Sequence, residues 1–164
     1  MSQTLPDKES VLREKSGHPA IAAILAGLPE ALEDARWDRD ELTLTIVREH
    51  IVAAARIIQQ AGYNFLEDVT AVDWFPASPR FQVSYHIVSH PHKERIRLRV
   101  LVDELIPAVE SIVPVWPSAN YYEREVFDLF GIRFDGHPNL RRIMMPEEWS
   151  GHPLRKDYPV EGYR

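Results

Sequence analysis

The stretch NYYEREVFDLFGIRF, residues 120–134, sets Glu123, Arg124, Glu125 and Asp128 close together. Two neighbouring carboxylates can act as general acid and base on one bond, or share a metal ion. On a helix of 3.6 residues per turn, Glu123 and Glu125 stand about 200° apart, so they cannot flank one bond. Glu125 and Asp128 could share a metal, but Arg124 lies beside Asp128 and competes for it. The histidines are the other candidates: His86, His90, His92, His137 and His152. His90 and His92 could share a strand face, yet Pro91 between them marks a turn. Three converging ligands with an open position do not follow from such spacing. A free-standing histidine metalloenzyme is therefore the remote reading.

Cysteine is absent. That excludes disulfides, thiol nucleophiles, cysteine-based zinc sites and Cys-ligated iron–sulfur clusters. There is no G-x-G-x-x-G loop or P-loop to hold a nucleotide. No residue is assigned a catalytic, cofactor-binding or metal-binding role, and the charged triplet reads better as part of a surface built for another protein.

The elements that position these residues follow from local pattern. Asn120 with Glu123 three positions on resembles a capping box, and Glu123 and Glu125 suit the positive end of a helix. Tyr122, Val126 and Leu129 recur at helical spacing, with Phe130 extending the stripe. Arg124 and Asp128 form an i,i+4 pair, and Gly131 permits a left-handed exit. The expectation is a capped, amphipathic surface helix. Behind it, GIRFDGHPNLRRIMMPEEWSGHPLRKDYP shows little periodicity over some thirty residues, and such stretches are usually functional or disordered. Met144, Met145, Trp149 and Tyr158 argue against disorder, because interfaces enrich arginine, methionine and aromatics. Gly-His-Pro occurs at 17–19, 136–138 and 151–153 with irregular spacing, which reads as loop chemistry.

Upstream, residues 1–16 are polar, charged and aperiodic, and are expected to be a disordered tail. Pro19 opens a short apolar helix that ends near Gly27. ALEDARW and ELTLTIV form a hairpin about Asp38-Arg39-Asp40. Residues 49–61 have helical period with Gly62 as the stop, and residues 65–74 alternate as a strand. Pro76 and Pro79 mark a loop, then FQVSYHIVS and ERIRLRVLV form the clearest hairpin. Residues 105–113 are ambiguous. The fold expected is α+β: one compact domain over residues 17–134, with a single mixed or antiparallel sheet packed by helices, then an irregular docking segment over 135–164.

The 164 residues suit one domain plus a tail, and the net charge of −6 argues against non-specific nucleic-acid binding. Residues 133–164 carry six Lys and Arg against five Asp and Glu, whereas the rest of the chain is acidic. The longest apolar runs fall well short of the ~20 residues a membrane span needs, and the first residues do not read as a secretory signal.

Taken together, E-R-E-x-x-D-L-F and then H-x-x-x-R-x-I-M, from Glu123 to Met144, resemble the signature of the C-type subunit of respiratory complex I, the 30 kDa subunit of NADH–quinone oxidoreductase. MPEEWSGHPLRKDYP at 145–159 resembles the family's closing segment. Asp73-Trp74-Phe75, the SYHIVS strand and WPSANYYERE fit as well. The resemblance covers about residues 30–160, with Tyr121-Tyr122 standing where many relatives have Trp and a neighbour. It implies an accessory subunit of the peripheral arm, on the cytoplasmic face of a bacterial inner membrane, that binds no flavin, cluster or quinone itself. FMN, iron–sulfur clusters and quinone would sit in neighbouring subunits of a proton-translocating enzyme. The partners implied are the hydrogenase-like large subunit (D, or 49 kDa type) and the iron–sulfur subunits of the B and I types.

Carried onto this sequence, Glu123, Arg124, Glu125 and Asp128 form the signature helix ending at Gly131. Gly136, His137 and Pro138 form its loop, which Arg141 and Arg142 close. His152, Pro153, Leu154, Arg155, Lys156, Asp157 and Tyr158 match the family's tail. The helix charges are expected to lock the segment, and its arginines to bind partner carboxylates. The alternative is the same role in a ferredoxin-fed quinone oxidoreductase or a membrane-bound hydrogenase.

Overall fold

The computed structural model describes residues 7–162. Its main sheet has five strands in the order β1-β2-β5-β4-β3, formed by β1 (Leu32–Asp38), β2 (Glu41–Ile46), β3 (Phe65–Asp73), β4 (Phe81–Ser89) and β5 (Glu94–Val102). All neighbours are antiparallel except β2 and β5, so the sheet is mixed. The alternation in ERIRLRVLV sends Ile96, Leu98, Val100 and Val102 into the core, with Arg95, Arg97 and Arg99 on the opposite face. The β1–β2 turn closes on Arg39 and Asp40, whose φ of 50° and 61° match the twist that two-residue hairpins require.

Helices α2 (Pro19–Gly27) and α3 (Ile51–Gln60) cover the apolar face. Pro19 sits in the first turn of α2, and α3 buries Ile51, Ala54, Ala55 and Ile58 before Gly62 turns the chain at φ 100°. The expected disordered tail over 1–16 is corrected in part. Residues 8–14 form helix α1 (Lys8–Glu14), because Asp7 caps it by accepting the Ser10 N–H and Val11 anchors it in the core. Residues 1–6 lie outside the described residues.

The ambiguous stretch at 105–113 resolves into a strand, β6 (Ala108–Glu110). It pairs in parallel with β7 (Arg133–Asp135), adding a two-stranded sheet to the one expected. Between them runs α4 (Ala119–Phe130), against β3. From Gly136 onward the described chain is bends and turns.

Candidate docking surface

Helix α4 buries Ala119, Glu123, Val126 and Phe130, a stripe at i, i+4, i+7 and i+11. Of the expected stripe, Val126 and Phe130 are buried, whereas Tyr122 and Leu129 only flank it, half-buried, and Ala119 and Glu123 take the inward positions. The helix starts at Ala119, and neither Ser118 nor Asn120 caps it through a side chain. The capping-box reading fails because Glu123 turns inward. Its Oε2 accepts from the Ser111 hydroxyl at 2.6 Å and its Oε1 from the Ile112 N–H at 2.8 Å, tying the helix to the chain after β6. Burial pushes the Glu123 carboxyl up to about 7, against the opposing pull of those two hydrogen bonds. Glu125, by contrast, is exposed, so the two glutamates do point apart.

Asp128 is fully buried, and the irregular segment is built on it. Its Oδ2 accepts three consecutive backbone N–H groups, from Ile143, Met144 and Met145, at 2.7–2.9 Å. Its Oδ1 accepts from Arg142 at 2.9 Å. Burial alone would raise the Asp128 pKa, but these donors outweigh it and hold the carboxyl below its ordinary value. Arg142 continues to the Gly151 carbonyl at 2.9 Å. The expected Arg124–Asp128 pair does not form. Arg124 instead donates to the carbonyls of Arg141 and Arg142, at 3.2 and 3.3 Å. The surface-helix expectation is thus corrected, since three of the helix charges are buried: Glu123 holds the chain before the helix, and Arg124 and Asp128 hold the loop after it.

The tail's second half closes over the end of α4. His152 Nδ1 donates to the Asp128 carbonyl, the Leu154 N–H to the Leu129 carbonyl and Arg155 Nε to the Phe130 carbonyl. These are carbonyls that a helix end leaves without partners. They converge over Gly131, at φ 71°, where a Cβ would lie 2.5 Å from the His152 ring and 2.7 Å from Arg155. Glycine is required there twice over, by dihedral and by space.

A second anchor, Arg80, was not singled out in the sequence. Arg80 is buried at the start of β4, and its guanidinium takes Asp73 through Nε and Nη2 (2.9 and 2.8 Å) and Asp157 through Nη2 and Nη1 (2.7 and 3.1 Å). It also pairs with Glu104. Its carbon lies 4.9–5.0 Å from the ring centres of Phe75 and Phe81. Asp73 accepts the Lys156 N–H at 2.8 Å as well. Burial works against ionising Asp73, yet Arg80 and the backbone donors bring its pKa down to about 2. The available signal was an Asp closing one strand and an Arg opening the next across a short proline loop.

The arginines expected to reach partner carboxylates are therefore mostly spent inside the chain: Arg142 on Asp128, Arg155 on a helix carbonyl, with Asp157 taken by Arg80. Arg141 and Lys156 keep their side chains exposed. The Gly136-His137-Pro138 loop turns at a Gly136 φ of 79°, and the His137 side chain is buried with Nε2 3.1 Å from the Asn120 carbonyl. In two of the three Gly-His-Pro turns the ring Nδ1 accepts the N–H two residues on, past the proline that has none: His18 from Ala20, and His137 from Asn139. Pro153 precedes Leu154 in the closing turn, and Tyr158 accepts from the Trp149 indole at 3.1 Å. Among the charged side chains that the segment shows to solvent, it also exposes large apolar ones, Ile143, Met144, Trp149 and Leu154, and Tyr121 of α4 stands beside Arg124. Among the described residues no three His, Asp or Glu side chains gather as a metal ion would need.

Residues 44–164 match the family described as the 30 kDa subunit of respiratory-chain NADH dehydrogenase. The chain is 48% identical over 143 residues to the C-type subunit of NADH-quinone oxidoreductase from Roseiflexus sp. (strain RS-1), covering 85% of this chain and 82% of the relative. It is 47% identical over 145 residues to the protein of the same name from Geobacter sulfurreducens, covering 87% and 90%. Among solved structures it resembles a trypsin-resistant fragment (1–134) of Nqo5, with a TM-score of 0.66 and 31% identity, over 74% of this chain and 99% of the fragment. A chain of an archaeal membrane-bound sulfane sulfur reductase shares the fold at a TM-score of 0.75 and 24% identity, over 88% of this chain and 86% of that one.

Proposed function

We propose, since this chain belongs to the 30 kDa subunit family of respiratory-chain NADH dehydrogenase, that it acts as a structural subunit of an NADH–quinone oxidoreductase and carries no catalytic residue itself. In that role it supports electron flow from NADH through FMN and iron–sulfur clusters, held by its neighbours, to quinone, coupled to proton translocation. The chain has no cysteine, so it offers no thiolate to a cluster.

The observation that carries the reading is how the charges are used. Asp128, Arg124, Arg142, Arg155 and Arg80 are turned inward to hold an irregular segment in place, and that segment then presents Ile143, Met144, Trp149 and Leu154 outward. Fixing a loop before binding lowers the ordering cost of association, and exposed methionine and tryptophan are what interfaces bury. The partner for this face is the hydrogenase-like large subunit, with the iron–sulfur subunits of the B and I types adjacent. The location that goes with this is peripheral, on the cytoplasmic face of a bacterial inner membrane. Among the described residues no helix is long and apolar enough to cross a membrane.

A Met144→Asp variant tests the role, because Met144 is exposed and its side chain supports no internal contact named above. The isolated variant should unfold within about 1 °C of the wild type, while its complex-bound fraction in membranes falls at least tenfold and NADH–quinone activity falls with it. Normal incorporation and activity would refute the docking role. Co-purification through an N-terminal tag identifies the donor: NADH- and flavin-binding subunits support this reading, and their absence beside a nickel-site subunit supports a hydrogenase.

A further inference from the structure

A second set of exposed apolar residues lies outside α4 and the segment that follows it. Two loops at one end of the main sheet, 74–80 and 103–107, expose Trp74, Phe75, Leu105 and Ile106 at 53%, 48%, 94% and 61%. Leu105 and Ile106 stand out most, being adjacent aliphatic residues at a loop tip, with almost nothing covering Leu105. The tip is not slack. The Ala108 N–H donates to the Ile106 carbonyl at 2.8 Å, the Arg133 N–H to the Pro107 carbonyl at 2.8 Å, and Glu104 is held by Arg80. Monomeric proteins rarely fasten a loop in order to show large aliphatic side chains to water.

The surroundings are acidic. Asp103 and Glu104 precede the tip. Beside Ile106 runs an open groove of about 330 Å³ whose polar lining is Glu49, Glu110, Asp135 and Arg48. Arg48 is bound to Glu49 at 2.9 Å and Arg133 to Asp135 at 2.6 Å, which leaves the charge of Glu110 over and the groove net negative. A second copy of this chain would bring the same acidic rim against itself, which disfavours self-association. The surface is also continuous with the tail, because Arg80 touches Asp157 of the tail, Glu104 of the tip loop and the Phe75 ring.

We propose that Leu105 and Ile106 are a second docking element, which inserts into an apolar pocket of a partner subunit while a lysine or arginine of that partner enters the acidic groove beside them. This rests on the subunit role proposed above and adds a contact the tail does not supply. A side chain that fills a desolvated pocket anchors an interface, and complementary charge around it fixes register and speeds encounter.

The test places a photo-reactive amino acid at position 105, and separately at 144, in the full chain assembled in membranes. Irradiation is followed by purification of the complex and mass spectrometry of the linked peptides. The expected result is a covalent product from position 105 joined to another subunit of the complex, at a segment bearing Lys or Arg beside apolar residues. A Leu105→Asp/Ile106→Asp chain should fold normally yet lose at least tenfold in complex-bound fraction. A Glu110→Lys chain should lose severalfold. A product joining two copies of this chain overturns the proposal. So does no product from 105, with normal incorporation of the double variant, while 144 still cross-links and Met144→Asp still fails to assemble. If 144 and Met144→Asp are also silent, the subunit role falls with it.

Discussion

Replacing Asp128 with asparagine removes one charge and no volume, so its effect reads the anchor of the irregular segment alone. In the wild type the carboxylate accepts four hydrogen bonds, three from consecutive backbone N–H groups on Oδ2 and one from Arg142 on Oδ1. An asparagine amide has one oxygen. If that oxygen faces the three N–H groups, its NH2 points at the Arg142 guanidinium, donor against donor. If the amide is flipped, the NH2 faces the three N–H groups instead. At least one donor is stranded either way. A stranded buried donor costs about 1–3 kcal/mol, and breaking a buried charged pair about 3–5 kcal/mol. The Arg142 side chain keeps 15% of its surface, so water recovers part of that loss. A net loss of about 2–4 kcal/mol follows. The assay is urea unfolding together with limited proteolysis across residues 136–162. The midpoint should fall, and cleavage near Met144–Trp149 should accelerate at least tenfold. Because the Asp128 pKa is depressed, its contribution is present above the unfolded carboxylate pKa and is lost as pH falls through the folded value. The variant should therefore converge on the wild type in acid. A loss below about 0.5 kcal/mol with unchanged cleavage would refute the reasoning.

Other outcomes follow from the same geometry. Gly131→Ala should destabilise by at least about 1–2 kcal/mol from the left-handed backbone alone, and should expose His152 and Arg155 to proteolysis and modification, because its Cβ cannot coexist with those side chains. Arg80→Leu strands the buried Asp73, while the half-exposed Asp157 and Glu104 turn to water, and should cost about 3 kcal/mol in chemical unfolding; a neutral result would contradict the anchoring role of Arg80. Glu123 behaves oppositely to Asp128. Its folded pKa of about 7 exceeds the ordinary 4.5, so its contribution is full below about pH 4.5 and lost as pH rises through 7. Glu123→Gln can still accept the Ile112 N–H and donate to Ser111, so it should be more stable than the wild type at pH 8, by up to about 3 kcal/mol, with no gain at pH 4; equal pH slopes for the two proteins would contradict this.

The sheet was legible because its signals are local. The alternation in ERIRLRVLV and the Asp-Arg-Asp turn each specify a hairpin within about ten residues, and Gly62 and Gly131 mark helix ends by chemistry only glycine supplies readily. The signature helix was found, but its orientation was misread. Val126 and Phe130 are buried as expected, but a glutamate within the stripe breaks the apolar period, so Tyr122 was read as inward where Glu123 is. The anchors of the tail left no local trace. Arg80 and Asp157 are 77 residues apart, and Asp128 binds backbone groups that any sequence would supply. Charged residues that hold a core look the same in one dimension as charged residues on a surface. Residues 8–14 were read as disorder because a seven-residue helix with one buried side chain has too little pattern to register.

If the segment after α4 is built on the chain itself before any partner arrives, amide hydrogen exchange of the isolated protein shows it most directly, at Ile143, Met144 and Met145. Bonded to a buried carboxylate, these three amides should exchange at least a hundredfold slower than free peptide, and should lose that protection together in Asp128→Asn. Exchange at the free-peptide rate in the wild type would mean that the segment is ordered only by its partners, and would contradict the anchoring role of Asp128.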